Sequence, residues 1–302
     1  MSEKYVGVDI GGTKTLVVLV SECGAVSAEK EFLMKDRSAE EVFGTISNVI
    51  SGFEDFNAVG VGIAGDVDSR LGKLRVSPNL PGWKNISIRK ILSEKLGKRV
   101  AVDNDANCAA VGSYYLDGKK KYSNFLTVTL GTGIGGGIII DNKLYRGSTG
   151  SAGEVGHITI NPSGPLCACG NYGCLEAYIG TSGIRNIASE FGFSGNEITP
   201  AGIAAQARSG NKEAKKVYEK FGYYLAIGIG GLINVFNPDM VTLSGGVSNN
   251  YDLFSLSMIR EIKKRSFAAA FKHARIKKTD YARHLGAIGA ALMARMKLNR
   301  LK

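Results

Sequence analysis

The segment YVGVDIGGTKTLVVLV, residues 5–20, contains two short apolar runs rich in valine, separated by the turn Gly11-Gly12-Thr13-Lys14. Runs of this length and β-branched composition predict two β-strands joined as a hairpin. Glycines without a Cβ let several backbone N–H groups of such a turn converge on one phosphate. Asp9, near the end of the first run, can hold Mg²⁺, which takes few carboxylates and keeps most of its water ligands. The alternative is an ordinary tight turn without a ligand.

A second glycine-rich turn, LGTGIGGG, lies at residues 130–137. It satisfies the spacing G-x-G-x-x-G, which in dinucleotide-binding proteins opens a helix. Here the glycines continue into the strand-like run 138–140, so we predict a second hairpin and not a dinucleotide fold. Its N–H groups and the Thr132 hydroxyl can bind a phosphate. Two hairpins with similar turns indicate an internal duplication.

The rest of the chain alternates strand-like and helix-like segments, which is typical of the α/β class. The charged segment 117–122 is the predicted boundary between an N-terminal lobe, residues 1–118, and a C-terminal lobe, residues 119–284. We expect a final helix at about 285–302 to pack back on the first lobe. The patterns also predict a long loop after Ile63 that reaches Trp83, and a single helix over Tyr251–Phe271.

Polar residues mark the place where a strand pattern at residues 99–102 meets a helix pattern, in the run Asp103-Asn104-Asp105-Ala106-Asn107. The Asp105 carboxylate at this place can accept a proton from a substrate hydroxyl. Asn104 offers both a donor and an acceptor, which recognition of a polyol requires. The alternative is that Asp105 only caps its helix, a role worth about 1 kcal/mol.

Three of the five cysteines fall close together and follow a histidine: His157, Cys167, Cys169 and Cys174. One imidazole and three thiolates form a complete tetrahedral set for structural Zn²⁺. Such a closed site has no open position for water, so the metal would shape its surroundings without activating a nucleophile. Glu154 and Glu176 flank this set, and carboxylates are suitable acceptors for sugar hydroxyls. The alternative is a group of buried free thiols.

The formal net charge is +11 in 302 residues, but the basic residues are dispersed along the chain. They are not accompanied by an RNA-binding motif or a DNA-reading helix pair, so we expect a solvated basic surface and no nucleic-acid partner. The N-terminus has no signal-peptide pattern, and no run of about 18 apolar residues is present. The sequence therefore predicts a cytoplasmic protein without a membrane partner.

Together, the DxGGTK and LGTGIGGG turns, the EVGH segment and the CxCGxxGCxE run resemble the ROK family, and the resemblance extends from Asp9 to about Gly289. That family contains bacterial glucokinases, kinases of other hexoses and of N-acetylhexosamines, and transcriptional repressors. The resemblance implies an α/β, two-lobed actin/hexokinase-like (ribonuclease H-like) ATPase fold with an interlobe cleft for nucleotide and sugar. It also implies a homo-oligomer, either a dimer or a tetramer.

The resemblance assigns roles to individual residues, with ATP, Mg²⁺ and structural Zn²⁺ as the implied cofactors. Asp105 matches the catalytic base, and His157 is expected to bind both the zinc and the sugar. The positions that match ATP-binding residues are Asp9, Gly11, Gly12, Thr13, Lys14, Gly131, Thr132, Gly133, Gly245 and Gly246. The positions that match sugar-binding residues are Gly65, Asn79, Asn104, Asp105, Glu154, His157 and Glu176.

The implied activity is transfer of the γ-phosphoryl group of ATP to the 6-hydroxyl of a hexose. The segment 65–83 resembles that of the glucokinases, so glucose is the expected acceptor. Mannose, fructose, N-acetylmannosamine and N-acetylglucosamine remain alternatives, as does polyphosphate as the donor.

Other classes of function fit the sequence less well. The repressors of the family carry a DNA-binding winged helix ahead of the first glycine turn, whereas eight residues precede Asp9 here. An actin-like filament or chaperone ATPase would not need the predicted zinc site, and the predicted hairpin at residues 130–140 disfavours an oxidoreductase.

Overall fold

The structure of the protein is a computed structural model that describes residues 3–34, 38–118, 121–195 and 198–299. The chain divides into two compact units: the first is Met1–Ser123, Gly137–Gly153 and Arg283–Lys302, and the second is Asn124–Gly136 and Glu154–Ala282. Residues 119 and 120, at the predicted lobe boundary, and residues 300–302, at the end of the predicted last helix, lie outside the described residues.

The described elements follow one another in the α/β alternation that the sequence predicts. The strands are β1 (Lys4–Ile10), β2 (Lys14–Ser21), β3 (Val26–Leu33), β4 (Ala58–Ile63), β5 (Asp66–Asp68), β6 (Lys73–Val76), β7 (Lys84–Ile86), β8 (Arg99–Asn104), β9 (Phe125–Leu130), β10 (Ile134–Ile140), β11 (Lys143–Tyr145), β12 (Met240–Ser244) and β13 (Arg275–Lys278). The helices are α1 (Ala39–Ser51), α2 (Ile88–Leu96), α3 (Asp105–Ser113), α4 (Leu175–Ile179), α5 (Thr181–Glu190), α6 (Pro200–Arg208), α7 (Lys212–Phe236), α8 (Tyr251–Arg265), α9 (Ala268–His273) and α10 (Leu285–Asn299).

Two five-stranded sheets share one topology. The first has the strand order β3-β2-β1-β4-β8, and the second has the order β11-β10-β9-β12-β13. In the first, β2 and β3 continue β1 as antiparallel strands, while β4 and β8 run parallel to β1. In the second, β12 runs parallel to β9, and β13 runs parallel to β12. Both predicted hairpins are confirmed, and the repeated order agrees with the predicted duplication.

Helix α10 packs directly on the first sheet because glycines let it approach the strands closely. A Cβ on Gly7 in β1 would lie 1.9 Å from the carbonyl oxygen of Ala287, and a Cβ on Gly60 in β4 would lie 1.8 Å from that of Ala290. Both distances are impossible for a real side chain, so each strand needs glycine at this point. Helix α10 therefore packs on β1 and β4, although both strands lie far from it in the sequence.

The core of the second unit forms where α7 packs against α8. Asn211 caps α7 by accepting a hydrogen bond from the Ala214 N–H at 3.0 Å. The rings of Phe221 and Phe254 are both fully buried, and their centroids lie 4.9 Å apart. In the part of the chain that the structure describes, no helix combines the length and the apolarity that crossing a membrane requires.

Two predictions of local structure were wrong. The long loop predicted between Ile63 and Trp83 contains β5 and β6, which join β7 in a small antiparallel sheet. The single helix predicted over Tyr251–Phe271 is two helices, because α8 ends at Arg265 and α9 begins at Ala268.

Candidate functional site

The parallel strands of the first unit bring their carboxyl ends to one edge of the sheet. Asp9 in β1 lies beside Gly62 in β4, and Gly62 lies beside Asp103 in β8. β8 ends one residue later and leads directly into α3. The structure therefore brings together Asp9 and the Asn104-Asp105 pair, which lie far apart along the chain.

Asn104, and not Asp105, is the N-cap of α3. Its Oδ1 accepts hydrogen bonds from the N–H groups of Ala106 at 2.8 Å and Asn107 at 3.2 Å, and its Nδ2 donates to the carbonyl of Gly65 at 3.1 Å. Asp105 is the first residue of the helix, where its Oδ1 lies 3.0 Å from the Ala106 nitrogen. The interpretation of Asp105 as the helix cap is therefore wrong.

Both carboxylates at this edge are half-buried, and both have raised pKa values. Burial is the main cause that raises the pKa of Asp9 to about 7, and the negative charge of Asp105 adds to it while Lys14 opposes it. Burial also raises the pKa of Asp105, partly offset by hydrogen bonds from backbone N–H groups at the start of α3 and from Asn104. A carboxyl group with a raised pKa is a stronger base than an ordinary aspartate, which suits general-base chemistry.

Asp103 is a functional candidate that the sequence reasoning did not single out. Its side chain is almost fully buried and forms an ion pair with Arg146, with Oδ2 2.7 Å from Nη2 and 2.8 Å from Nε. Its Oδ1 accepts from the Asn104 N–H at 2.9 Å and from Asn107 Nδ2 at 3.0 Å. Asp103 thus holds the strand end that presents Asn104 and Asp105. The DNDAN run contained this residue, but nothing in the sequence pointed to Arg146.

The first glycine turn is closed by a hydrogen bond from the Gly11 N–H to the Lys14 carbonyl at 3.0 Å. Asn79 lies against this turn, because a Cβ on Gly12 would be 2.8 Å from its carbonyl oxygen. The Lys14 ammonium forms an exposed ion pair with Glu31 at 2.6 Å. Four of the predicted ATP-binding residues and one predicted sugar-binding residue therefore lie together in the first unit.

His157, Cys167, Cys169 and Cys174 converge in the second unit, with one ligand atom from each lying within 4.8 Å of the others. Cys169 Sγ and Cys174 Sγ are 3.7 Å apart, and Cys167 Sγ lies 3.8 Å from His157 Nδ1. A tetrahedral zinc with Zn–S bonds of about 2.3 Å separates its sulfur ligands by about 3.8 Å. The spacing and the donor set therefore fit a structural Zn²⁺ ion.

The backbone around this cluster is arranged by short turns. Cys167 donates its N–H to the Asn171 carbonyl at 2.8 Å, and Gly170 donates back to the Cys167 carbonyl at 2.9 Å. Gly173 has φ +69°, and a Cβ there would lie 1.6 Å from the Asn161 carbonyl oxygen. Burial raises the pKa of Cys174 to about 12. A free thiol at this position would stay protonated at neutral pH, and a bound cation would displace that proton.

Glu176 connects the cysteine cluster to the second glycine turn. Its Oε2 accepts a hydrogen bond from the Ile134 N–H at 2.7 Å, and its Oε1 lies 4.0 Å from Cys167 Sγ. The turn approaches this carboxylate closely, since a Cβ on Gly133 would lie 2.4 Å from Glu176 Oε2. Glu154 is exposed and directly precedes the short 3₁₀ helix Val155–His157. The predicted sugar-binding residues Glu154, His157 and Glu176 therefore belong to one region.

Two glycine turns of the second unit lie side by side at the ends of β9 and β12. Gly245 has φ +84°, and a Cβ there would lie 2.4 Å from the Leu130 carbonyl oxygen. The Thr181 N–H, at the start of α5, donates to the Thr132 carbonyl at 3.2 Å. This contact between a helix terminus and the turn was also not predicted, since only the fold brings α5 to Thr132.

Comparisons with known proteins show the family to which the chain belongs. A family model described as the ROK family matches residues 5–297. A glucokinase of Thermotoga maritima is 33% identical over 262 residues, which cover 81% of this chain and 82% of that protein. A xylose repressor of Caldicellulosiruptor bescii is 31% identical over 310 residues, 95% of this chain and 77% of the repressor.

A solved structure is similar over nearly the whole chain. It is a ROK family glucokinase from Streptomyces griseus in complex with glucose and AMPPNP, with a TM-score of 0.86 at 30% identity, covering 97% of this chain and 99% of that chain. The predicted actin/hexokinase-like fold is thus confirmed. The similar proteins include both sugar kinases and a regulator.

Proposed function

The chain belongs to the ROK family, and we propose that it is an ATP-dependent hexokinase that phosphorylates the 6-hydroxyl of glucose. The observation that carries the proposal is the environment of Asp105. This carboxylate is half-buried, its pKa is raised, and it is free of the capping role, which Asn104 performs. A regulator that only binds a sugar has no need of such a base.

Asp105 accepts the proton of the attacking hydroxyl in this proposal. Because the transition state of phosphoryl transfer is loose, orientation of the hydroxyl contributes more than removal of its proton. Asp103 and Arg146 support that orientation by holding the strand end through buried hydrogen bonds and an ion pair. Asn104 and Asn79 are the sugar-binding residues proposed beside the base, with the backbone at Gly65 fixed by the Asn104 amide.

ATP is the proposed phosphoryl donor, and the similar glucokinase structure with AMPPNP supports a nucleotide. The proposed ATP-binding segments are the turn at residues 11–14 in the first unit and, in the second unit, the turn at residues 131–133 and Gly245-Gly246. Asp9 fits a Mg²⁺ ligand, since none of the described residues donates a hydrogen bond to its half-buried carboxylate, and burial raises its pKa to about 7. The cation would neutralise part of the negative charge of the phosphates.

Zinc is proposed as a structural ion that positions the sugar-binding residues of the second unit. His157 Nδ1 faces Cys167, which leaves Nε2 for a hydroxyl of the sugar. Glu176 would receive a second hydroxyl while its other oxygen stays on the Ile134 N–H. Coordination of one ring nitrogen fixes the tautomer of the other, which makes His157 a defined hydrogen-bond partner.

The second candidate is a sugar-sensing regulator without catalysis, and the 31% identity to the xylose repressor is the observation that favours it. A third group of candidates is kinases for mannose, fructose, N-acetylglucosamine or N-acetylmannosamine. Turnover and the identity of the sugar separate these candidates from the glucokinase proposal.

The test measures ADP release with ATP and Mg²⁺ over a panel of glucose, mannose, fructose, xylose and the two N-acetylhexosamines. We expect glucose to have the highest kcat/KM, and ³¹P NMR to identify the product as the 6-phosphate. A kcat/KM about tenfold higher with another sugar would reject glucose and keep the kinase. Binding of glucose or xylose by calorimetry without ADP formation from any sugar would reject the kinase in favour of the regulator.

A further inference from the structure

A cavity of about 520 Å³ lies within the first unit, beside the amino ends of β4 and β8. Its lining comes from the loop after β5, from α2, from these two strands and from the last turns of α10. Four of the lining residues are cationic, and none is acidic: Arg70, Arg89, Arg99 and Lys297. A pocket with only one sign of charge favours a ligand of the opposite sign.

The positive charges of this cavity are not neutralised by ion pairs within the part of the chain that the structure describes. Among the described residues, the Arg89 guanidinium donates to carbonyl oxygens alone, those of Ser69 at 2.8 Å, Arg70 at 2.6 Å and Val100 at 3.2 Å. These bonds hold the group in place but leave its full charge. Arg70 and Arg99 are exposed side chains at the mouth of the same cavity.

Lys297 is the most unusual of the four cations. Its Nζ donates to the Ser69 carbonyl at 3.0 Å. Burial, together with the nearby charge of Arg89, lowers the pKa of Lys297 to about 8, although Asp103 opposes this effect. Asp103 is itself paired with Arg146 at 2.7 Å. If Lys297 only stabilised the helix dipole at the carboxyl end of α10, its ammonium would remain in water. The interaction with the dipole has no desolvation cost there.

The cavity is distant from the carboxylates proposed for catalysis. Ala58 pairs with Arg99 where β4 and β8 begin, and Ile63 pairs with Asn104 where they end. The strand length between these positions is about 17 Å. Helix α10 reaches both regions: a Cβ on Gly286, near its start, would lie 2.5 Å from Asp9 Oδ2, while Lys297 lines the cavity.

We propose that this cavity binds a small organic molecule that carries a phosphate monoester. A dianionic phosphate suits the arginine and lysine donors, since guanidinium groups recognise phosphate oxygens through paired hydrogen bonds. Apolar side chains at Val100, Ala294 and Leu298 provide contacts for the organic part of the ligand. The volume lies within the range of small-molecule sites. This binding site does not rest on the proposed kinase activity.

The experiment measures Kd by calorimetry at pH 7 for glycerol 3-phosphate, 3-phosphoglycerate and inorganic phosphate, with glycerol as the uncharged counterpart. We expect at least one ester to bind more tightly than inorganic phosphate. Lys297→Met and Arg99→Met should each weaken that ester at least about tenfold, as loss of one charged hydrogen bond does. Arg99 is exposed, so its variant tests the cavity even if Lys297→Met unfolds, which a melting curve reveals.

Two control variants distinguish binding in this cavity from attraction to the basic surface in general and from binding at the proposed catalytic edge. Lys95→Met removes an exposed cation of α2 that does not line the cavity, and Asp105→Asn alters the catalytic edge. Both should keep the Kd of the ester within about twofold of the wild type, given the usual small effect of distant substitutions. The proposal is overturned if neither ester binds more tightly than inorganic phosphate or if both cavity variants retain full affinity. It is also overturned if Lys95→Met weakens binding equally, or if Asp105→Asn alone abolishes it.

Discussion

Asn104 and Asp105 are adjacent at the end of β8, and the structure places them in different backbone environments. Asn104 satisfies the free N–H groups of α3, while Asp105 occupies the first helical turn with a raised pKa. A negative charge at a helix N-terminus is normally stabilised, which lowers its pKa. Burial outweighs that effect here. Asp105 therefore has a raised pKa at a position where the helix dipole alone would lower it.

Asp105→Asn tests the role of this carboxylate directly. The amide has nearly the same shape and can still accept the Ala106 N–H, and the cap at Asn104 is untouched. Loss of a general base typically costs roughly 10² to 10⁴-fold, so we expect kcat to fall at least about a hundredfold with little change in melting temperature. The exposed Asp55→Asn is the matched control. A kcat within about fivefold of the wild type would remove Asp105 from the mechanism, because that is far below the general-base range.

Asp9 should make the stability of the protein fall as the pH rises. Its pKa is about 7 in the folded protein, above the ordinary value of 3.8, so the folded state holds this proton more tightly than the unfolded chain. Between these two pKa values, raising the pH therefore favours unfolding, and above about 7 the effect is constant. Asp9→Asn removes this dependence, because an amide does not ionise.

We expect Asp9→Asn to gain stability relative to the wild type by roughly 2 kcal/mol between about pH 5.5 and pH 8. The measurement is urea unfolding at both pH values in magnesium-free buffer, again with Asp55→Asn as the control. If the difference between wild type and Asp9→Asn is the same at both pH values, Asp9 has an ordinary pKa.

Among the individual elements, the cysteine segment shows how a short stretch can specify its own structure. Its four ligands lie between His157 and Cys174, and short turns within this segment bring them together. Spacing of cysteines and a histidine was therefore enough to predict the cluster. Glu176 was recognised as its neighbour, but its hydrogen bond to the second glycine turn was not.

Removal of one zinc ligand should both release the metal and lower the stability of the protein. We expect about one zinc per wild-type chain, and its loss together with a lower melting temperature in Cys169→Ser, since binding free energy at such a site is also folding free energy. Metal analysis and a melting curve measure both. Cys23→Ser, which changes an exposed cysteine outside the cluster, should retain the zinc. Full zinc content in Cys169→Ser, or none in the wild type, would contradict the site.

The break between α8 and α9 is a feature that the local sequence of residues 251–271 did not reveal. The Asn234 side chain of α7 accepts from the Phe267 N–H at 2.7 Å and donates to the Arg265 carbonyl at 3.0 Å. One amide thus takes both backbone groups that would continue the helix. The helical periodicity of residues 251–271 is real, but a contact from a distant helix interrupts it.

In the molecule as a whole, the division into units does not follow the chain order. Residues 137–153 and 283–302 belong to the first unit although most of the second unit lies between them in sequence. Helix α10 completes the core of the first unit by covering β1 and β4 with Ala287 and Ala290. The cationic cavity beside β4 and β8 has the same origin, since its lining includes both Ala58 and Lys297.

Local patterns in the chain were enough to predict the α/β class, both hairpins and the group of one histidine and three cysteines that could hold a metal. Each of these depends on residues close together in sequence: alternating apolar runs, glycines that only a tight turn requires, and cysteines at ligand spacing. Local free energies determine such features, so a single sequence reveals them.

The contacts between residues that lie far apart in the sequence became known only from the structure, because they depend on how distant segments pack. Arg146 pairs with Asp103 across 43 residues, and α10 brings Lys297 to Ser69 across 228. The raised pKa values of Asp9 and Asp105 also come from burial that the strands and helices produce together. Desolvation and long-range pairing depend on which segments pack against one another, and no local pattern in a single sequence contains that information.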